Sequence, residues 1–267
     1  DTEAKRIAWE KKLKTQSYVD PITGKNYTYE QLMWGYIGES DQAAGSYAVL
    51  NTVNRAMDVD SKTTLYNLLK KDARGNVILD TDGLATMEIR HCFGRIEEYK
   101  YNPKTNEIFQ INWLGNKSGL NLDGSIGTFD DLLVRVKSES QAVSNALSMH
   151  TLDSDLVVGR GASWDSLERY GIRKDDTAET IFAKLTRNGN TYCDSGFMSS
   201  TPELGGGFMN GNEINYIMNI NQGTSIGNFA GYNFGEKEVL LDYGTKFKID
   251  SVKKDAYGKV YIFLSQK

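Results

Sequence analysis

The spacing of apolar residues changes along this chain, and the change restricts the folds open to it. Upstream they recur every three or four positions. Tyr47, Leu50, Val53 and Met57 follow the polar pair Asp41-Gln42, and Leu65, Leu68 and Leu69 mark a second short helix before Asp72 and Gly75. Thr128 opens the clearest helix as an N-cap, with Asp131 three residues on and an apolar stripe of Phe129, Leu132, Leu133 and Val136 running toward Ala146 and Leu147. A further helix is expected from Thr177 to Leu185. After it the period becomes two: Ile214, Tyr216, Met218 and Ile220 alternate with Asn215, Ile217 and Asn219, and Phe247 and Ile249 with Lys246, Lys248 and Asp250. Val260 to Leu264 reads as the last strand, and short aromatic runs between Glu98 and Gly124 read as a hairpin or a long surface excursion. Helices first and strands afterwards predict an α+β fold of two packed, mainly antiparallel sheets with surrounding helices. A doubly wound nucleotide fold is disfavoured, since no GxGxxG follows a strand.

Composition narrows the function classes. Hydrophobic residues make up 39% of the chain, fifteen tyrosines are present and only three prolines, so it can bury a core and is not a linker. No stretch approaches the roughly 18 apolar residues of a membrane span. Thirty-five acidic against 31 basic groups leave a charge of −4, with no basic run to track a phosphate backbone, and nucleic acid is not an expected partner. Cys92 and Cys193 stand outside any CxxC or Cys/His pattern, and two histidines, His91 and His150, cannot assemble an ordinary zinc site, so no metal is expected. The adjacent His91-Cys92 reads better as a packed thiol than as a nucleophile with its base. The opening residues mix Asp1, Glu3, Lys5 and Glu10, so no export signal is in view.

Three features carry chemistry. Leu156-Val157-Val158 is a short apolar run closed by Gly159-Arg160-Gly161, as for a strand that delivers a guanidinium where it meets a loop; such a group forks onto phosphate oxygens, and glycine admits a ligand to the backbone. Gly196 to Pro202 holds the hydroxyl cluster Ser199-Ser200-Thr201, which by itself describes a turn. Glu236-Lys237-Glu238 precedes the apolar Val239-Leu240-Leu241, and on a strand both carboxylates would share a face. Glycosidic chemistry needs such a pair, one carboxylate to stabilise a developing oxocarbenium ion and one to handle the nucleophile's proton.

Taken in this order, the three features resemble the Arg-Ser-Glu class of mono-ADP-ribosyltransferases, which includes the enzymatic component of iota-type binary toxins, related insecticidal toxins and Rho-modifying exoenzymes. Asp155 to Gly161 is similar to the family's first core strand, Gly196 to Thr201 to its Ser-Thr-Ser segment, and Gly235 to Ile249 to its catalytic loop and following strands. Trp34 to Gly38 and Tyr47 to Arg55 are similar to its helical entry region. The resemblance implies NAD as substrate. Arg160 would bind its phosphate and ribose side, with the backbone of Gly161 near the nicotinamide amide. Ser199 would hold Glu238, Glu238 would bond the nicotinamide ribose and favour loss of nicotinamide, and Glu236 would receive the acceptor. A glutamate at that position goes with arginine acceptors, and a carboxylate pairs bidentately with a guanidinium.

Departures accompany the likeness. The hydroxyl segment is Ser-Ser-Thr, and no arginine follows Arg187 to serve as the family's second phosphate ligand, which leaves a lysine or the amides of Gly205-Gly206-Gly207. Phe208 either covers the nicotinamide or anchors the core. The aromatic three positions before the first glutamate is replaced by Asn233, with Tyr232 and Phe234 beside it. The expected organisation is an N-terminal extension over 1–26 and a single catalytic domain over 27–267. The expected activity is transfer of ADP-ribose from NAD to an arginine of a host protein, actin by similarity to the iota-type toxins, by a toxin or effector that is secreted or delivered into a host cell with a delivery component outside this chain. The alternatives are an NAD glycohydrolase, a phage-encoded modifier of host proteins, and an NAD-binding module without turnover.

Overall fold

A computed structural model describes residues 3–38, 46–91, 95–119, 126–206, 209, 211–229 and 237–267. The chain forms two compact units: Glu10–Ala146, and Asp1–Trp9 together with Leu147–Lys267. It opens with helix α1 (Glu3–Leu13), which carries Glu3 in its first turn and Lys11 and Lys12 in its last, each favourable to the helix dipole.

In the 10–146 unit, β1 (Ser17–Val19) and β2 (Asn26–Thr28) form a hairpin that pairs Tyr18 with Tyr27. Three helices follow: α2 (Tyr29–Gly38), α3 (Tyr47–Ala56) and α4 (Ser61–Leu68). The helical spacing anticipated the last two. In α3 Leu50 and Val53 are fully buried, and α4 starts where Asp60 accepts from the Thr63 amide at 2.8 Å. Next comes a sheet ordered β3 (Ala85–Arg90), β4 (Ile96–Asn102), β5 (Glu107–Ile111) and β6 (Lys117–Ser118), with β7 (Gly127–Thr128) also on β5. The hairpin expected after Glu98 is β4–β5. Helix α5 (Phe129–Ser148) begins with a reciprocal cap: Thr128 Oγ1 accepts from the Asp131 amide and Asp131 Oδ2 from the Thr128 amide, both at 3.1 Å.

Four tight turns share one sequence rule, Asx-x-x-Gly-x, at Asp72–Asn76, Asp80–Leu84, Asn112–Asn116 and Asp255–Lys259. In each the amide of the first residue meets the carbonyl of the fifth, the glycine amide returns to the carbonyl of the first, and the first side chain's Oδ1 accepts from residues three and five. The glycines have φ between +74° and +84°, the left-handed conformation that lets a type I turn close as a bulge.

The other unit holds a five-stranded sheet ordered β8 (Leu156–Ala162), β11 (Ile214–Ile220), β15 (Val260–Gln266), β14 (Lys246–Lys254) and β9 (Tyr192–Cys193), antiparallel apart from β11–β15. A three-stranded antiparallel sheet is ordered β10 (Met198–Ser200), β13 (Val239–Leu241) and β12 (Ile226–Asn228). Helices α6 (Asp165–Glu168) and α7 (Ala178–Thr186) complete the unit, α7 starting at the Thr177 cap as its sequence predicts. Both sheets feed one core: Val158, Ile214, Tyr216, Met218 and Ile262 from the larger pack in the same cluster as Met198, Ile226, Val239 and Leu241 from the smaller. The α+β class and the predominance of antiparallel pairing agree with the sequence reading.

Candidate active site

Strand β8 supplies Arg160 and Gly161 from its interior. The sequence placed Arg160 where a strand meets a loop, but pairing with β11 continues through Tyr216↔Arg160 and Asn215↔Gly161 to Ile214↔Ala162, so the strand runs past both glycines. The cause is that β11 offers a full ladder to the glycine-rich stretch. At Gly159 the missing side chain makes room for protein: a Cβ there would stand 2.2 Å from Met209 Sδ and 3.0 Å from Leu204 Cδ2.

Gly159 also joins the two sheets. Its amide donates to the Thr201 carbonyl at 2.7 Å and its carbonyl accepts from the Thr201 amide at 2.9 Å, so the end of the hydroxyl segment is tied to β8. Arg160 strengthens the join, its Nη1 donating to the Ser199 carbonyl at 2.8 Å. Ser200 is buried and donates through Oγ to the Val239 carbonyl at 2.8 Å, while Ser199 alternates to the other face and stays partly exposed. Thr201 Oγ1 accepts from the Glu203 amide at 3.1 Å. One hydroxyl therefore locks the ladder and one closes a turn.

Pairing of β10 with β13 sets Ser199 opposite Leu240 and Ser200 opposite Val239. Carried one step further, this register puts Thr201 across from Glu238, which is 9% exposed and lies one residue before β13. Of the strand expected here, Lys237 and Glu238 lie before its start at Val239. Glu238 is held at the backbone, its carbonyl accepting from the Phe229 amide at 3.0 Å. Lys237 Nζ meets Glu203 Oε1 at 2.8 Å, and that bond holds the Lys237 ammonium above the usual lysine range. Arg160, Gly161 and Ser199 thus lie on adjoining strands of one unit, with Glu238 one residue before the next strand. Glu236 and Phe208 lie outside the described residues, as do Gly207, Asn233 and their neighbours in 230–236.

Two neighbours escaped the sequence reading. Tyr216, across the ladder from Arg160, is 2% exposed, shares a hydrogen bond with Ser166 Oγ at 3.2 Å and lies 5.2 Å from the ring of Tyr192. Burial pushes both phenols above their ordinary range. Glu203 had no signal beyond its charge. Tyr216 was legible as a core position of β11 but not as the neighbour of Arg160. Among the described residues no group of three His, Cys, Asp or Glu side chains could hold a metal ion, and no helix is long and apolar enough to cross a membrane.

Arg160 on β8 and the mostly buried Glu238 just before β13 thus flank the hydroxyl segment of β10. A family profile described as ADP-ribosyltransferase exoenzyme matches residues 122–266, just over half of the chain, and the chain belongs to that family, whose reaction draws on NAD. Similar solved structures include Plx2a, an ADP-ribosyltransferase toxin from Paenibacillus larvae, at 17% identity over 49% of this chain and 71% of that one with a TM-score of 0.42. The Clostridium limosum C3 exoenzyme is 17% identical over 52% and 71% of the two chains, with a TM-score of 0.43. The enzymatic component C2-I of the C2-toxin from Clostridium botulinum is 14% identical over 49% and 36%, with a TM-score of 0.40. No curated protein matches the chain.

Proposed function

We propose that this protein transfers ADP-ribose from NAD to an arginine side chain of a host protein. The observation that carries the reading is the join of Arg160 to the Ser199 carbonyl, with β10 in register on the strand that Glu238 precedes, in a member of the ADP-ribosyltransferase exoenzyme family. Arg160 binds the phosphates and ribose of NAD, and the Gly161 backbone meets the nicotinamide amide. Glu238 accepts a hydrogen bond from the nicotinamide ribose, so its charge favours the oxocarbenium-like sugar formed as the bond to nicotinamide breaks. Ser199 orients that carboxylate. Glu236 pairs with the incoming guanidinium, draws a proton from it and directs its nitrogen to the anomeric carbon. Phe208 covers the nicotinamide. Delivery into a host cell fits a toxin family, with actin the first acceptor to examine.

The test is incubation with labelled NAD and a cell lysate. The expected outcome is one labelled protein band that hydroxylamine removes, as it does arginine linkages. A band that resists hydroxylamine overturns the arginine acceptor, and nicotinamide release without any band makes the protein an NAD glycohydrolase.

A further inference from the structure

The foot of the segment that carries both glutamates is held from the far end of the sequence. Lys5 and Trp9, four residues apart and so on one face of α1, both reach the stretch after α5. Lys5 Nζ bonds the Thr151 carbonyl and, at 2.6 Å, Asp153 Oδ1. Trp9, 1% exposed, lies 5.4 Å from the His150 ring and 5.7 Å from the ring of Phe229, edge-on. Phe229 is itself 1% exposed and is the residue whose amide bonds the Glu238 carbonyl. Its ring lies over Gly227, where a Cβ would stand 2.7 Å from the ring and 2.9 Å from Leu147 Cδ2. Glycine at 227 thus leaves room for the Phe229 ring that Trp9 meets edge-on.

We propose that Trp9 is a positioning residue for Glu238: it fixes the Phe229 ring, the fixed ring keeps the Phe229–Glu238 pair from fraying, and the pair sets where the carboxylate stands. The inference rests on the function proposed for Glu238. A pair beyond the last strand residue opens readily unless its side chains are buried, and a displacement of about 1 Å at a reacting group can cost on the order of 10²-fold in rate. Trp9 acts through the Phe229–Glu238 pair.

The experiment compares full-length Trp9→Ala, Trp9→Phe and Phe229→Leu with the wild type by amide hydrogen exchange and by nicotinamide release from NAD. Trp9→Ala is expected to speed exchange at Phe229 and Val239 while β11 keeps its protection, and to lower kcat about tenfold with KM nearly unchanged. Trp9→Phe should restore most of both, and Phe229→Leu should reproduce the loss. Unchanged exchange at Phe229 and Val239, or faster exchange with kcat retained, overturns the proposal, as does a rise in KM alone. If β11 also loses protection in Trp9→Ala, Trp9→Leu replaces it, with the same expected and contrary results. A wild-type protein that releases no nicotinamide overturns the functional reading instead, and the exchange comparison still decides whether Trp9 holds the Phe229–Glu238 pair.

Discussion

Glu238 sits at 9% exposure while Lys237 beside it is open to solvent, so neighbouring charged residues have sharply different surroundings. A carboxylate screened this far from water stabilises developing positive charge more strongly than one in solution. Glu238→Gln, which keeps the shape and removes the charge, should lower both transfer and NAD hydrolysis by about 10²–10³-fold in a nicotinamide-release assay; a variant that keeps most hydrolysis contradicts the role given to it. Glu236→Gln should lose transfer and retain measurable hydrolysis, and equal loss of both contradicts the division of labour. His150 is a residue-scale test of stability. It is buried, with Nδ1 bonded to the Ile226 carbonyl at 3.1 Å, and burial lowers its pKa, with Lys5 acting the same way more weakly and Asp153 opposing. An unfolded histidine titrates near 6.5, so below that pH the unfolded chain binds more protons than the folded one. The stabilisation is complete above about 6.5 and is lost as pH falls toward the lowered folded value. The thermal midpoint should drop across that window, and His150→Gln should flatten the drop.

Elements repeat short rules, and most of those rules were legible. The caps at Thr128 and Thr177 open helices because a hydroxyl there satisfies an amide with no partner inside the helix. The alternation in β14 and β15 matches their buried faces, and so does that of β11 apart from Asn215, which is 1% exposed. Strand β3 was missed although Ala85, Met87 and Ile89 alternate with Thr86 and Glu88, and so were the Asx-x-x-Gly turns at Asp72 and Asp80 that lead into it. Methionine and alanine carry weak strand signals, so packing decided there. Gly227 tests an element: it pairs with Leu240 on β13, and its lost side chain is the space of the Phe229 ring. Gly227→Ala should destabilise by about 1–3 kcal/mol in urea unfolding, because a stiff ring on one side and Leu147 on the other leave the methyl no room; an unchanged midpoint contradicts that packing.

At the scale of the molecule, contacts between residues far apart in sequence decide what the local rules cannot. Arg135 Nε and Nη2 both reach Asp20 Oδ2 at 2.9 Å, across 115 positions, with Asp20 wholly buried and the arginine side chain 6% exposed. Asp20 also accepts from the amides of Ile22 and Thr23 in the β1–β2 turn. Removing one partner strands the other charge, so Asp20→Ala or Arg135→Ala should each cost about 3–5 kcal/mol, while an apolar pair of matched volume should recover most of it; urea unfolding distinguishes these outcomes. The sequence alone determined helices α3, α4, α5 and α7, strands β8, β11, β14 and β15, the caps, the α+β class and the three chemical motifs, because each depends on groups a few residues apart and on hydrophobic period. Tertiary structure alone decided that Arg160 bonds the Ser199 carbonyl, that Tyr216 lies beside it, that Glu203 reaches Lys237, and that Trp9 packs on Phe229. Strand order and register bring those residues together, and both are settled by burying a shared core, a property no local stretch of sequence contains.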